Sequence, residues 1–253
     1  MNRIALITGA TAGIGRSTAF LLAGNGINVI ITGRRKDLLD KLENEIKEKY
    51  DTNVLSLNFD VRNNEEVINT IDSLPAEWKD IDILVNNAGL AAGLTTIQEG
   101  SIDDWETMID TNIKGLLYMT RKIAPLMIER GSGHIVNIGS IAGKEVYPNG
   151  GVYCGTKHAV DAISKGMRID MVKHGIKVTA IHPGLVDTEF SIVRFKGDTE
   201  KAKKVYEGLT PLYGDDVAEM VLFAVTRPAH VNINDMIITA TDQASATIVR
   251  RNE

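Results

Sequence analysis

Short apolar runs, mostly of β-branched residues, alternate along the chain with longer stretches in which apolar positions recur every three or four residues. Several short runs are continuously apolar, which is typical of strands covered on both faces. The longer stretches have the period of helices that bury one face. The predicted strands are Ile4–Thr8, Asn28–Thr32, Asn53–Phe59, Ile81–Val85, His134–Ile138, Lys177–Ile181 and Met236–Thr239. The predicted helices are Ile14–Ala23, Leu38–Tyr50, Asn64–Leu74, Ser101–Glu129, Val152–His174 and Asp215–Thr226.

The regular alternation of strand and helix indicates right-handed crossovers and a parallel sheet. We therefore predict a single α/β domain over residues 1–253, with a doubly wound, Rossmann-type sheet of seven parallel strands and helices on both faces. Predicted helix ends are Asp37 and Asn63 as N-caps and Gly24 and Gly175 as C-terminal stops. The stretch 188–213 has no place in the alternation and follows a strand on the ligand-binding side, so we expect a substrate lid there.

Composition narrows the function classes. Basic residues number 28 and acidic residues 33, for a net charge of −5, which argues against nucleic acid as the main partner. The single cysteine, Cys154, excludes an intrachain disulfide. No secretory signal and no apolar run of bilayer-spanning length is found, so we expect a soluble cytoplasmic protein without a membrane or metal site.

The first predicted strand runs into a glycine-rich turn, Thr8-Gly9-Ala10-Thr11-Ala12-Gly13-Ile14-Gly15, that opens a helix. Such a turn lets the backbone approach a ligand closely, and the helix N-terminus offers free N–H groups to a pyrophosphate. A structural turn would explain the glycines equally well. The position between the first strand and the first helix favours a dinucleotide site.

The second predicted strand ends in Thr32-Gly33-Arg34-Arg35, where a carboxylate would select NAD. Two guanidiniums instead suit the 2′-phosphate of NADP. The alternative is a solvated basic turn, but cations are disfavoured near a helix N-terminus unless an anion joins them. We therefore predict NADP as the cofactor.

Tyr153 and Lys157 stand four apart in a predicted helix, so their side chains share one face. A nearby ammonium favours phenolate, and we expect Lys157 to lower the Tyr153 pKa from its usual value of about 10 toward the range of a general acid or base. The same spacing also describes an ordinary surface pair. Function is favoured because Ser140 and the Asn86–Gly89 turn end strands at the edge where doubly wound sheets bind ligands. Asn112 is expected nearby, either in the site or as a satisfied core amide.

Together these motifs make the chain resemble the short-chain dehydrogenase/reductase family over nearly its whole length. The matching motifs are Thr8–Gly15, Asn86–Gly89, Ser140, Tyr153-x-x-x-Lys157 and Pro183-Gly184. The resemblance implies that Tyr153 is the acid/base of a reversible hydride transfer, that Ser140 polarises the substrate oxygen and that Lys157 binds the ribose. It further implies that Asn112 holds a water in a proton relay. The cofactor-binding residues that the motifs and the family resemblance imply are Gly9, Thr11, Gly13, Ile14, Gly15, Arg34, Arg35, Asp60, Val61, Asn87, Ala88, Gly89, Tyr153, Lys157, Pro183, Gly184, Val186 and Thr188.

A narrower resemblance, to the NADP-dependent 3-hydroxy acid dehydrogenase branch, is carried by Asp104–Asn112, Val193–Asp198 and Pro228–Asn234. It implies serine, allo-threonine or 3-hydroxypropionate as substrate, and the family resemblance implies a homotetramer. Arg194 in the expected lid is a candidate ligand for the substrate carboxylate or a solvated loop charge. The alternatives are a broader carbonyl or 3-oxoacyl reductase and a non-catalytic NADP-binding module.

Overall fold

The computed structural model describes residues 3–252, so the ends of the predicted domain, Met1, Asn2 and Glu253, lie outside the described residues. Its main sheet has the seven parallel strands that the sequence predicts, in the order β3-β2-β1-β4-β5-β6-β9. The strands are β1 (Ile4–Ile7), β2 (Asn28–Gly33), β3 (Val54–Asn58), β4 (Ile81–Asn86), β5 (Gly133–Ile138), β6 (Ile176–Pro183), β7 (Val186–Asp187), β8 (Leu212–Tyr213) and β9 (Asp235–Ile238), of which β7 and β8 form a separate parallel pair.

Helices follow the strands as crossovers. They are α1 (Gly13–Gly24), α2 (Lys36–Lys49), α3 (Asn64–Asp72), α4 (Ile102–Ile109), α5 (Leu116–Arg130), α6 (Gly151–Met171), α7 (Phe190–Arg194), α8 (Thr199–Lys204) and α9 (Gly214–Val225). Among the helices of residues 3–252, none is both long and apolar enough to cross a lipid bilayer.

Alternate residues of β1 enter two separate cores, which is why the strand is apolar at every position. Ile4 and Leu6 pack in the core that also holds side chains of α3, α5 and α6. Ala5 and Ile7 pack in the core that holds side chains of α1, α2 and α9. Both faces of the sheet are thus covered by helices, as the continuous apolar runs predict.

Two of the predicted helix ends are confirmed in detail. The Asn63 side chain accepts hydrogen bonds from the backbone N–H groups of Glu65 and Glu66, and Gly175 takes a left-handed φ of 72° after the last turn. Gly24 is the last residue of α1. The prediction for Asp37 is wrong, because α2 begins at Lys36 and Asp37 lies in its first turn, where a carboxylate still favours the helix dipole.

The helix predicted over Ser101–Glu129 is interrupted. A π-helical segment, Asp110–Gly115, separates α4 from α5. One wide turn does not disturb the apolar period enough to be read from sequence, and π segments are often found at functional sites. This one carries Asn112, which is 2% exposed.

The stretch 188–213 folds back against the body of the domain. It contains α7 and α8, and its end forms β8, which pairs with β7. Two-residue strands are too short to show an alternating pattern, so neither was predicted. The C-terminal tail packs on the same chain, with the buried Gln243 side chain accepting a hydrogen bond of 2.8 Å from Leu185 N.

Candidate active site

A cleft of about 470 Å³ opens at the carboxyl ends of the strands. It lies where the strand order reverses, because β1 pairs with β2 on one side and with β4 on the other. Ile7 is opposite both Ile31 and Val85 in this register, so the loops that follow these strands begin at one level. This is the position at which doubly wound sheets bind ligands.

The cleft gathers nearly all of the residues that the sequence pointed to for the cofactor. Those that line it are Gly9, Thr11, Gly13, Ile14, Arg34, Arg35, Asp60, Val61, Asn87, Ala88, Gly89, Tyr153, Lys157, Pro183, Gly184, Val186 and Thr188. Gly15 does not line the cleft. A Cβ on it would lie 2.4 Å from the carbonyl oxygen of Gly9, so Gly15 is needed for close packing of the loop on the helix.

The glycine-rich turn is held open by hydrogen bonds from the neighbouring strand. Asn87 Nδ2 donates to the carbonyl oxygens of Thr8 and Gly9, at 2.9 and 3.1 Å. Gly9 has a φ of 66° and packs against Ala88. The N-cap of α1, Ala12, has no side-chain capping bond, so this helix terminus leaves its first N–H groups for a ligand. The turn therefore fits a pyrophosphate.

The two arginines after β2 reach different partners. Arg35 donates to the Thr11 hydroxyl at 2.8 Å and to the Glu189 carboxylate at 2.8 Å. Arg34 Nη1 lies 3.8 Å from the Asp60 carboxylate and its side chain is 57% exposed. Both line the cleft beside the turn, and their guanidiniums keep donors for a 2′-phosphate.

Tyr153, Lys157 and Ser140 meet at the inner end of the cleft. The Lys157 ammonium, which is buried, donates a hydrogen bond of 2.9 Å to the Ile138 carbonyl at the end of β5. Ser140 follows two residues later, and its hydroxyl accepts a hydrogen bond of 3.1 Å from Ala142 N. The sheet edge and α6 thus bring these three side chains together.

The expected lowering of the Tyr153 pKa is not what this geometry produces. Burial raises the pKa of Tyr153, the neighbouring Tyr147 raises it further, and the opposing effects of the Ser140 hydrogen bond and the Arg194 charge are smaller. Burial also lowers the pKa of Lys157, to about 8, which weakens the ammonium on which the expectation relied. With its pKa raised in this way, the Tyr153 phenol keeps its proton at neutral pH.

Asn112 stands outside the cleft lining, and its side chain is bonded within the protein. Its Oδ1 accepts from Leu90 N at 2.8 Å, and its Nδ2 donates to Leu90 O at 2.8 Å and to the Thr156 hydroxyl at 3.0 Å. The side chain clamps the loop after β4 to α6. This matches the alternative of a satisfied core amide, with one Oδ1 lone pair left over.

Arg194 lies at the end of α7, beside two tyrosines. Its Nη2 donates a hydrogen bond of 2.8 Å to the Tyr147 hydroxyl. Its guanidinium carbon is 5.5 Å from the centre of the Tyr153 ring. In residues 3–252 it makes no ion pair with a carboxylate, whereas Lys196 in the same stretch pairs with Asp104 at 2.9 Å.

A second cavity, of about 340 Å³, shares Tyr153 with the cleft. Arg194, Tyr147 and Trp105 also line it. A ligand that reaches Tyr153 from the cleft therefore has room beyond it, next to a half-buried cation.

The structure adds cleft residues that the sequence did not indicate as ligands of the cofactor. They are Ala12, Gly33, Phe59, Leu90, Thr111, Ile138, Gly139, Glu189, Phe190 and Val193. Most lie within the motifs or next to them. Glu189, Phe190 and Val193 reach the cleft only because the stretch after β7 folds over it. Phe190 packs edge-to-face on Tyr153, with ring centres 5.6 Å apart.

Comparison with known proteins agrees with this geometry. The family model of the short chain dehydrogenases matches residues 3–198. An NADP-dependent 3-hydroxy acid dehydrogenase of Salmonella typhi is 51% identical over 244 residues, which cover 96% of this chain and 97% of that protein. A fission yeast protein of the same name, from Schizosaccharomyces pombe, is 43% identical over 249 residues, which cover 98% and 96% of the two chains.

Solved structures give the same result. A closed form of serine dehydrogenase complexed with NADP⁺ superposes with a TM-score of 0.93 at 47% identity, covering 99% of this chain and 100% of that one. Serine dehydrogenase from Escherichia coli superposes with a TM-score of 0.83 at 44% identity, covering 95% and 99%.

Proposed function

Because the chain belongs to the short-chain dehydrogenase family and is an NADP-dependent oxidoreductase that acts on CH–OH groups, we propose that its substrates are short 3-hydroxy acids. Serine, allo-threonine and 3-hydroxypropionate are the proposed class, oxidised at the 3-hydroxyl carbon or formed from the matching semialdehydes. Relatives at 51% and 43% identity are named for 3-hydroxy acids, and a structural relative is named for serine.

The observation that carries the proposal is the position of Arg194. Its guanidinium lies against the Tyr153 ring and is hydrogen-bonded to Tyr147, with no ion-pair partner among residues 3–252. A cation held between aromatic rings binds a carboxylate through charge-assisted hydrogen bonds. A short acid with its hydroxyl at Tyr153 would bring its carboxylate within reach of Arg194.

Three side chains supply the proton chemistry in this proposal. Bound NADP(H) contributes the hydride acceptor or donor, and the protein contributes orientation and proton transfer. Tyr153 Oη donates its proton to the forming alkoxide in the reductive direction. Burial, which raises the pKa of Tyr153, keeps the phenol protonated until that step. Ser140 holds the substrate oxygen. Lys157 holds the ribose, and its charge influences how readily Tyr153 gives up its proton.

Asn112 takes a positioning role in the same scheme. Its amide fixes both backbone groups of Leu90, which lines the cleft beside Gly89. A Cβ on Gly89 would lie 3.3 Å from Asn112 Oδ1 and 3.5 Å from Lys157 Nζ, so the amide oxygen and the ammonium face the same small space. A water held there by the free lone pair of Oδ1 is the relay that the family resemblance suggests.

Three further parts of the proposal concern the whole molecule. The stretch 188–213 serves as a substrate lid, because it contributes Glu189, Phe190 and Val193 to the cleft and Arg194 to the second cavity. We also infer a homotetramer, following the family resemblance, and a cytoplasmic location.

The test is the oxidation of matched substrates with NADP⁺. We expect 3-hydroxypropionate to be oxidised with a kcat/KM at least about 10-fold above that of its methyl ester, which lacks the carboxylate charge; loss of one charged hydrogen bond predicts this size. L-Serine should also be oxidised. Turnover of bulky ketones with none of L-serine or 3-hydroxypropionate would instead establish a broad carbonyl reductase.

A further inference from the structure

Beneath the cleft lies a cluster of charged groups that the proposed reaction does not use. His182, near the end of β6, has no exposed side-chain surface. Its Nε2 lies 3.1 Å from Asp235 Oδ1 on β9 and 3.6 Å from Asp161 Oδ1 on α6. Lys144 and Lys165 complete the cluster, each with Nζ 2.7 Å from an Asp161 oxygen.

Two carboxylates and a histidine within 4.8 Å of one another have the composition of a metal site. The charges argue against a metal ion here. The two ammoniums of Lys144 and Lys165 already balance the charges of Asp161 and Asp235, so a divalent cation would enter a neutral site beside two positive charges. The role of the cluster therefore depends on the contact that His182 makes through its other ring nitrogen, Nδ1.

The other ring nitrogen of His182 faces Ser140. Nδ1 lies 3.3 Å from the Ser140 carbonyl oxygen. Gly139 lies against the ring, because a Cβ there would be 2.5 Å from Nδ1. The only other hydrogen bond to that carbonyl within residues 3–252 comes from Gly143 N, in the same short turn, at 2.8 Å. His182 is thus the side chain that ties this turn to another strand.

Three consecutive backbone groups between Ile138 and Ser140 have partners outside the turn. Lys157 donates to the Ile138 carbonyl at 2.9 Å. Gly139 N donates to the Ile181 carbonyl at 2.7 Å. His182 faces the next carbonyl, that of Ser140 itself, and the Ser140 side chain points from this anchored residue into the cleft.

The proton of the ring decides which contact is made. Burial and the charge of Lys144 lower the pKa of His182, so the imidazole is neutral near pH 7. A neutral ring has one N–H and donates either to Ser140 or to Asp235. Lys144 donates a hydrogen bond to Asp161 and lies 3.6 Å from Asp235 Oδ1. Its positive charge makes both carboxylates weaker acceptors for the ring N–H.

We propose that His182 is a positioning residue for Ser140: it donates from Nδ1 to the Ser140 carbonyl and so fixes the direction of the Ser140 hydroxyl, while Lys144, bonded to Asp161, keeps the two carboxylates from taking the ring proton. The inference rests on the proposed function, in which Ser140 holds the substrate oxygen. A displaced hydroxyl costs turnover because orbital alignment and donor distance are lost, while the glycine-rich turn and the two arginines proposed to hold the cofactor keep their positions.

Two substitutions of His182 distinguish the roles of its two ring nitrogens. His182→Asn keeps a donor at the position of Nδ1, and His182→Gln keeps one at the position of Nε2. We expect His182→Gln to lower kcat for L-serine oxidation by about 10- to 100-fold, and His182→Asn to stay within about threefold of wild type. The dissociation constant for NADPH, measured by fluorescence, should change less than about twofold in both.

His134→Gln is the matched control, because His134 is also buried but bonds Thr179 near the opposite end of the strands through Nε2, a contact that Gln retains. Its kcat should equal that of wild type. Lys144→Met is a second test on a partly exposed residue: with fewer donors for the carboxylates, the ring proton moves to Nε2 and kcat falls by about 3- to 10-fold.

Equal turnover of His182→Asn and His182→Gln, whether both retained or both lost, overturns the inference, as does full turnover of Lys144→Met. Ser140→Ala is assayed alongside. If Ser140→Ala turns over like wild type, the proposed role of Ser140 has failed; if it is inactive while the two His182 variants are equal, only the inference about His182 has failed.

Discussion

Arg35 donates a hydrogen bond of 2.8 Å to the carboxylate of Glu189, which joins the end of β2 to the stretch that folds over the cleft. The 2′-phosphate of NADP would compete with that carboxylate for the same guanidinium. We therefore predict that Glu189→Gln binds NADPH up to about fivefold more tightly, as expected for release of an exposed ion pair. Fluorescence titration measures this. NADH, which lacks the phosphate, is the control ligand, and equal tightening of NADH would contradict the prediction.

Removal of the Arg194 guanidinium should weaken the binding of acids selectively. For Arg194→Met we expect the KM of L-serine to rise about 10- to 100-fold, the loss of a charged hydrogen bond, with a smaller change for methyl 3-hydroxypropionate. Lys196→Met is the matched control, because Lys196 lies two residues away and pairs with Asp104 instead. Steady-state kinetics that show the same KM increase for both variants, or for both substrates, would speak against a carboxylate at Arg194.

The Tyr153 hydroxyl should matter for turnover but not for cofactor binding. Tyr153→Phe keeps the ring that packs on Phe190 and removes only the hydroxyl group, whose proton burial holds on the oxygen. We predict a loss of kcat of about 10²- to 10⁴-fold, with NADPH affinity within about twofold. Tyr147→Phe serves for comparison. It loses the hydrogen bond from Arg194, so it should raise the KM of the acid substrate rather than lower kcat. A Tyr153→Phe enzyme that keeps its kcat would rule out Tyr153 as the proton donor.

Burial of Lys157 should cost stability at neutral pH. Its pKa is about 8 in the folded protein and 10.5 in the unfolded chain. Below pH 8 both states are protonated and the folded state bears the full cost of the buried charge. Between pH 8 and 10.5 the unfolded state binds more protons, so this contribution to the free energy of unfolding rises with pH.

We therefore predict that Lys157→Met raises the free energy of unfolding at pH 7 by roughly 3 kcal/mol, and that most of this gain disappears by pH 10.5. Differential scanning fluorimetry at the two pH values measures the shift in Tm. The exposed Lys41→Met variant should show no such pH-dependent gain. A gain of equal size at both pH values would contradict the origin in a buried charge.

Two glycine-to-alanine substitutions should change the free energy of unfolding in opposite directions. Gly15→Ala places a Cβ 2.4 Å from Gly9 O and 2.5 Å from Asn87 Nδ2, so the glycine-rich turn must shift. We expect a loss of about 1–3 kcal/mol in unfolding free energy and weaker NADPH binding. Gly155→Ala, in α6, meets nothing within 4 Å and should stabilise the protein by about 0.5–1 kcal/mol. Urea denaturation compares them, and a tolerated Gly15→Ala would refute the close-packing role.

The sequence alone determined the layered fold and most of the cofactor cleft of this protein. Continuous apolar runs such as Ile4–Ile7 require burial on both faces, and that requirement with the strand–helix order leaves little choice but a doubly wound sheet. Motifs that directly follow strands, such as Gly9–Gly15 and Asn87–Gly89, could be assigned to one edge because parallel strands end there together.

Tertiary structure decided what depends on distances between segments far apart in the chain. Burial of Tyr153, with Tyr147 and Phe190 beside it, reversed the pKa shift expected from Lys157, because desolvation of a phenolate depends on everything around it and not on one neighbour four residues away. Three other features had no periodic signal in the sequence. These are the π-helical turn at Asn112, the ion pair of Arg35 with Glu189 and the contact of His182 with Ser140. Such contacts arise only when the loops and helices have packed.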